Sequence, residues 1–197
     1  MLLKSVFILV VFLFLIGVIQ FSTPNIPGND GFYHIKMAYL MRTEGLKPNF
    51  PWLPLTILNA REFYNHHFLF HVLLIPFTYG DLLIGAKLAA VAFAGVAFWL
   101  VWRLLDKQSV PYAAIWALGL VAVSEAFIFR MSIPRVQSLS LGVLILGLDW
   151  LLRGKHKPLF FLGFIYVWLY NAFPVLLVEA GAYTLAVWLI EKRLNLR

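Results

Sequence analysis

The sequence predicts an all-α, polytopic membrane protein of about six transmembrane helices, with a long external first loop that contains amphipathic helices. Three observations predict it. The 197 residues are 62% hydrophobic, with 18 Phe and 7 Trp, which is more apolar surface than one soluble core buries. Six apolar runs approach the length a helix needs to cross about 30 Å of hydrocarbon. The cations between those runs fall into a pattern that orients the chain.

The first run, residues 5–21, "SVFILVVFLFLIGVIQF", follows a single lysine and leads to no small-residue cleavage site, so it reads as an uncleaved span. Further spans are predicted at 82–102, 110–129, 136–152, 159–173 and 175–190. A seventh run, residues 68–79, "FLFHVLLIPFTY", is short, contains a histidine and is interrupted by Pro76. Segments of that length are more often interfacial or re-entrant than spanning. If it does not cross, Lys4, Arg103, Lys107, Arg153, Lys155, Lys157, Lys192, Arg193 and Arg197 share one side, nine of the sixteen cations. If it crosses, that side keeps only Lys4, Lys87, Arg130 and Arg135. The positive-inside rule therefore predicts a protein integral to the cytoplasmic membrane, with both termini cytoplasmic and residues 22–81 an external loop. The chain reads as a single membrane domain, without internal repeat or soluble domain.

Composition excludes several classes. With no cysteine there is no disulfide framework, no Cys-based zinc site and no thiol nucleophile. The net charge of +7 forms no basic tract, so topology and anionic lipid explain it and no nucleic-acid partner is expected.

The chemically distinctive residues collect in the first loop. "PGNDGFYHIKMAYLMRTEGL" holds a helix start at Asn29 or Asp30 and a stop at Gly45. Asp30 and His34, four apart, share one face of that helix. Asp30 either caps the helix or, ionised at its N-terminus, ligates a divalent cation or acts as a base. In "REFYNHHFLFH", Glu62 and His66 are four apart, as are His67 and His71. Such pairs suit Zn or Mn better than Mg, which prefers oxygen; the alternative is histidine at a membrane interface.

Within the predicted spans, Lys87, Glu125, Asp149 and Glu179 are ionisable, and charge at that depth is functional or paired. Asp149 has Arg153 four residues on. Glu125, Glu179, Arg130 and Arg135 lie toward the external ends. They either line a pocket whose guanidinium forks bind a lipid phosphate or form structural salt bridges.

Several of these stretches resemble those of a known family. A single span followed by "NDGFYHIKMAYLMRTEG", a long outer loop, the basic turn "RLLDKQ", then "FRMS" and "VWLYNAFP" resemble the N-terminal membrane module of GT-C-type glycosyltransferases. The resemblance is to the catalytic subunits of bacterial and archaeal oligosaccharyltransferases in particular. It implies transfer of a sugar or oligosaccharide from a polyprenyl-phosphate-linked donor to an acceptor on the external face. It further implies that Asp30 helps bind a divalent metal (Mn, Mg or Zn) and engages the acceptor, with His34, Glu62, His66 and His67 completing the metal shell. Arg130, with Arg135, would hold the lipid phosphate. Where the family carries a second acidic motif, this chain has "IPRVQSLS", without an acid, and it is shorter than the family's enzymes. A non-catalytic membrane subunit or lipid-phosphate binder that pairs with a second membrane chain is the alternative expectation.

Overall fold

The computed structural model describes residues 2–49 and 64–192, and those residues form helices without a strand. Helix α1 (Leu2–Phe21) leads through a short connection to α2 (Asp30–Glu44). After α3 (Phe68–Leu74), which tightens into a 3-10 turn (Ile75–Thr78), comes the long α4 (Leu82–Lys107). The chain continues through α5 (Ala113–Gly119), α6 (Glu125–Ser132), α7 (Gln137–Leu152), α8 (His156–Leu169) and α9 (Pro174–Glu191).

Helix α4 organises the bundle. Its 26 residues reach roughly 39 Å at 1.5 Å per residue, more than a bilayer core. Asp81 starts it, accepting a hydrogen bond from the Ile84 N–H at 2.9 Å, as an N-cap carboxylate does. The buried residues of α4 are mainly small, Gly85, Ala86, Ala89, Ala90, Ala94, Gly95 and Ala97 among them. Lipid tails are as apolar as leucine, so helices associate in a membrane through close packing, which such residues permit. At Gly85 the approach is tightest: a Cβ there would stand 1.8 Å from the Phe77 carbonyl oxygen, so only glycine lets the 3-10 turn lie on α4.

Helix α1 packs along α4 through Ile8, Phe12 and Ile16, which join Ala94, Phe98 and Trp102 in one buried cluster. The Phe12 and Phe98 rings meet edge to face, 5.8 Å between centroids, and Trp99 Nε1 donates to Ser5 Oγ at 3.1 Å. A second cluster, Ala38, Phe70, Leu74, Ala89, Val136, Tyr166, Leu169 and Leu176, ties α2 and α3 to the start of α7 and to the α8–α9 corner. Helices α2 and α3 thus sit at the N-terminal end of α4.

The described residues are all-helical and apolar in the manner of a membrane protein. Three of the described helices are long and apolar enough to cross a bilayer: Leu2–Phe21, Leu82–Lys107 and Pro174–Glu191. A fourth crossing arises if α5 and α6 are counted as one bent span. The predicted span 110–129 is therefore not one straight helix. Its two halves meet at 89°, because Ser124 is extended and its hydroxyl accepts from the Phe127 N–H at 3.1 Å, starting a new helix. Spans predicted at 136–152 and 159–173 correspond to helices of 16 and 14 residues, shorter than the roughly 20 of an ordinary span. The run 68–79 is a short helix plus a 3-10 turn ending at Thr78, with Pro76 inside the turn, too short to cross.

Candidate functional site

Helix α2 begins at Asp30 and ends at Glu44, with Gly45 after it at a positive φ of 101°, as the Asn-Asp start and glycine stop predict. Neither Asn29 nor Asp30 caps it in the expected way, since Asn29 makes no side-chain cap bond. Asp30 instead pairs with Arg135, Oδ2 to Nη1 2.9 Å. The segment carrying Arg135 is pressed against the start of α2. A Cβ on Gly31 would lie 2.8 Å from Ile26 Cδ1 and 3.0 Å from Pro134, so a glycine at this position lets the two segments come close enough for the ion pair.

One turn further along α2, His34 is 4% exposed and faces His71 of α3, which is fully buried. His34 Nδ1 and His71 Nε2 are 2.8 Å apart, and His71 Nδ1 lies 2.8 Å from Asn65 Oδ1. The direction of this chain follows from its end. Asn65 Oδ1 also receives the His67 backbone N–H at 3.2 Å, and a backbone N–H only donates, so that atom is the amide oxygen. His71 Nδ1 therefore donates to Asn65, His71 Nε2 accepts from His34 Nδ1–H, and His34 keeps its lone pair on Nε2. A neutral, tautomerically ordered chain results.

Its surroundings keep it neutral. Burial pushes His34 down from its ordinary 6.5 to about 2, helped by nearby His71, His67, Arg135 and His66. Burial first, then His67 and His66, pushes His71 to about 3. Burial, then His66 and Arg135, takes His67 to about 4. Phe70 stands edge-on to the His34 ring at 5.1 Å and Tyr33 edge-on to His71 at 5.6 Å. Burial raises the Tyr33 hydroxyl to about 12. His67 stacks on Tyr170, centroids 5.4 Å apart at 27°, and among the described residues its buried Nδ1 finds no hydrogen-bond partner.

Of the predicted site residues, the structure gathers Asp30, His34, His67 and Arg135 at one end of the bundle. His66 is exposed, its ring 4.2 Å from that of His67. Glu62 lies outside the described residues. Arg130 and Glu125 are exposed on α6 and, among the described residues, join no ion pair with Arg135 or Glu179. Glu179 sits apart on α9, its Oε2 buried without a partner among the described residues and facing Gly147 of α7. Among the described residues no three His, Asp or Glu side chains converge on a point, and His34 and His71 direct nitrogens at each other. Sequence reasoning singled out His71 only as a partner of His67 and passed over Asn65 and Tyr170. Asn65 and His71 share no helical spacing, because Asn65 precedes the helix.

Comparison with protein-family models, curated proteins and solved structures finds no match for this chain.

Proposed function

We propose that the chain is a membrane glycosyltransferase of GT-C type, or the N-terminal module of one, that moves a sugar or oligosaccharide from a polyprenyl-phosphate-linked donor to an acceptor on the external face. The observation supporting this reading is the Asp30–Arg135 pair standing one helical turn from the ordered His34–His71–Asn65 chain. In this reading the chain crosses the cytoplasmic membrane six times, keeps both termini in the cytoplasm and presents residues 22–81 outside.

The chemistry follows from the pair. A donor phosphate displaces the Asp30 carboxylate from Arg135, whose guanidinium fork matches two phosphate oxygens, with Arg130 as a second cation for the lipid phosphate. The released Asp30 takes the proton of the acceptor hydroxyl or amide as the acceptor atom attacks the anomeric carbon. The bond from that carbon to the phosphate oxygen breaks, and its electron pair leaves with the lipid phosphate, stabilised by Arg135. His34 is too weakly basic to hold that proton, so its Nε2 orients the acceptor by accepting a hydrogen bond. Asp30→Ala is expected to abolish transfer from a polyprenyl-phosphate-linked sugar while the protein stays folded; wild-type turnover in that variant overturns the reading.

A second reading, a non-catalytic subunit or lipid-phosphate binder, is favoured by two features. Asp30 is engaged by Arg135, and Leu176 is the one buried residue of α9, leaving a long apolar face for another membrane chain. Melting with and without Mn or Mg separates the two: no shift with metal, together with an unchanged melting temperature for Asp30→Asn, favours the subunit.

A further inference from the structure

At the opposite end of the bundle, α4 and α7 enclose a cavity of about 190 Å³ whose rim is Arg103, Lys107, Asp149, Trp150 and Arg153, above a floor of leucine and isoleucine. We infer that this cavity binds a phosphate-ester anion at the basic membrane surface, its apolar floor admitting the glycerol and acyl portion of an anionic lipid. This inference is independent of the reading proposed for the other end.

The charges are arranged for it. Asp149 is 4% exposed and is held by Lys107 Nζ at 3.1 and 3.3 Å and by the Arg153 guanidinium. Arg153 Nε also donates to the Asp149 carbonyl at 3.2 Å, so its fork is fixed at the end of α7. Arg103 is different: among the described residues it joins no ion pair, and its guanidinium lies over the Trp99 ring at 5.0 Å. Three cations thus line the cavity, two of them held by one carboxylate. The C-termini of α4 and α7 also end here, each contributing roughly half a negative charge. Together with Asp149 they still leave an excess of roughly one positive charge at the rim. Positive-inside bias explains cations on this side, but not their convergence on one cavity with a carboxylate that prealigns two of them. Basic pockets between membrane helices on this side bind anionic headgroups.

The test uses the full chain purified in detergent. Lipid retention is measured by native mass spectrometry with phosphatidylglycerol and phosphatidylcholine in equal amounts, and melting temperature is measured with and without inorganic phosphate. Arg103→Gln removes a cation without stranding Asp149, so the fold is expected to survive; Arg103→Lys keeps the charge without the fork. Preferential retention of phosphatidylglycerol, reduced about five-fold in Arg103→Gln and less in Arg103→Lys, supports the site with a lipid as its source. Stabilisation by inorganic phosphate that is lost in Arg103→Gln, without lipid preference, supports it with a soluble source. Equal retention of both lipids with no phosphate effect, or a phosphatidylglycerol preference or phosphate stabilisation that is unchanged in Arg103→Gln, overturns it.

Discussion

The two ends of the bundle bury polar groups in opposite ways. Between α2 and α3 the polar contacts are neutral: His34, His71 and Asn65 pass hydrogen bonds in one direction, and burial strips the imidazoles of their basicity. At the α4–α7 end the buried group is an ion, Asp149, with Lys107 and Arg153 closed on it and Lys4 pairing with Asp106 nearby at 2.7 Å. The difference follows from which helix ends are present. The C-termini of α4 and α7 attract cations, and cations bring a carboxylate with them. The α2–α3 end is built from side chains on two short helices, where a neutral chain avoids the cost of desolvating charge.

The sharpest way to break this contrast is to remove both cations from the ionic end. Lys107→Met with Arg153→Met strands a buried carboxylate and is expected to destabilise the protein by about 3 kcal/mol or more, read as a fall in melting temperature. Asp149→Leu, which lets the two long cationic side chains reach water, is expected to cost much less. Equal losses in the two variants would mean that Asp149 is not the group that suffers.

The neutral end is probed by pH. His34 and His71 have folded values near 2 and 3, below the ordinary 6.5. Below 6.5 the unfolded chain binds protons that the folded chain refuses, so stability is fully present above that value and is lost as pH falls toward the folded values. Going from about pH 7.5 to about pH 5.5 is expected to cost about 3 kcal/mol from the two histidines together. His71→Phe is expected to flatten that slope, because one titrating group disappears and the other loses its partner. A melting temperature independent of pH over that interval would show that the imidazoles are not held neutral.

The smallest effect is expected between the two regimes, at Asp30–Arg135. Both partners are part-exposed, so a double-mutant cycle with Asp30→Asn and Arg135→Gln is expected to give a coupling of less than about 1 kcal/mol. A coupling several times larger would make the pair a structural staple of the α2 start.

Local features were legible in the sequence because they depend on neighbours along the chain. The start of α2 at Asp30, its stop at Gly45, the interruption of the apolar run at Pro76 and the Asp149–Arg153 pair one helical turn apart all belong to this kind. The bend at Ser124 had a signal, a serine and an acid inside an apolar run, but hydropathy summed over a span averages such residues away. The histidines were legible as a cluster, yet their contact was not: His34 and His71 are 37 residues apart, and helical spacing says nothing about residues on different helices. The same spacing pointed to His67 and His71 as co-ligands, whereas in the structure His71 turns to His34 and Asn65 while His67 stacks on Tyr170.

By itself, then, the sequence determined that the chain is helical and apolar enough for a membrane and where most helices start and stop, because backbone hydrogen bonding and hydrophobic length are local properties. The tertiary structure decided which polar groups meet. Asn65 orients His71, His71 orients His34, and Gly31 admits the contact that brings Arg135 to Asp30. Those choices depend on how closely two helices approach, a distance set by small residues and ring packing that no periodicity along one chain encodes.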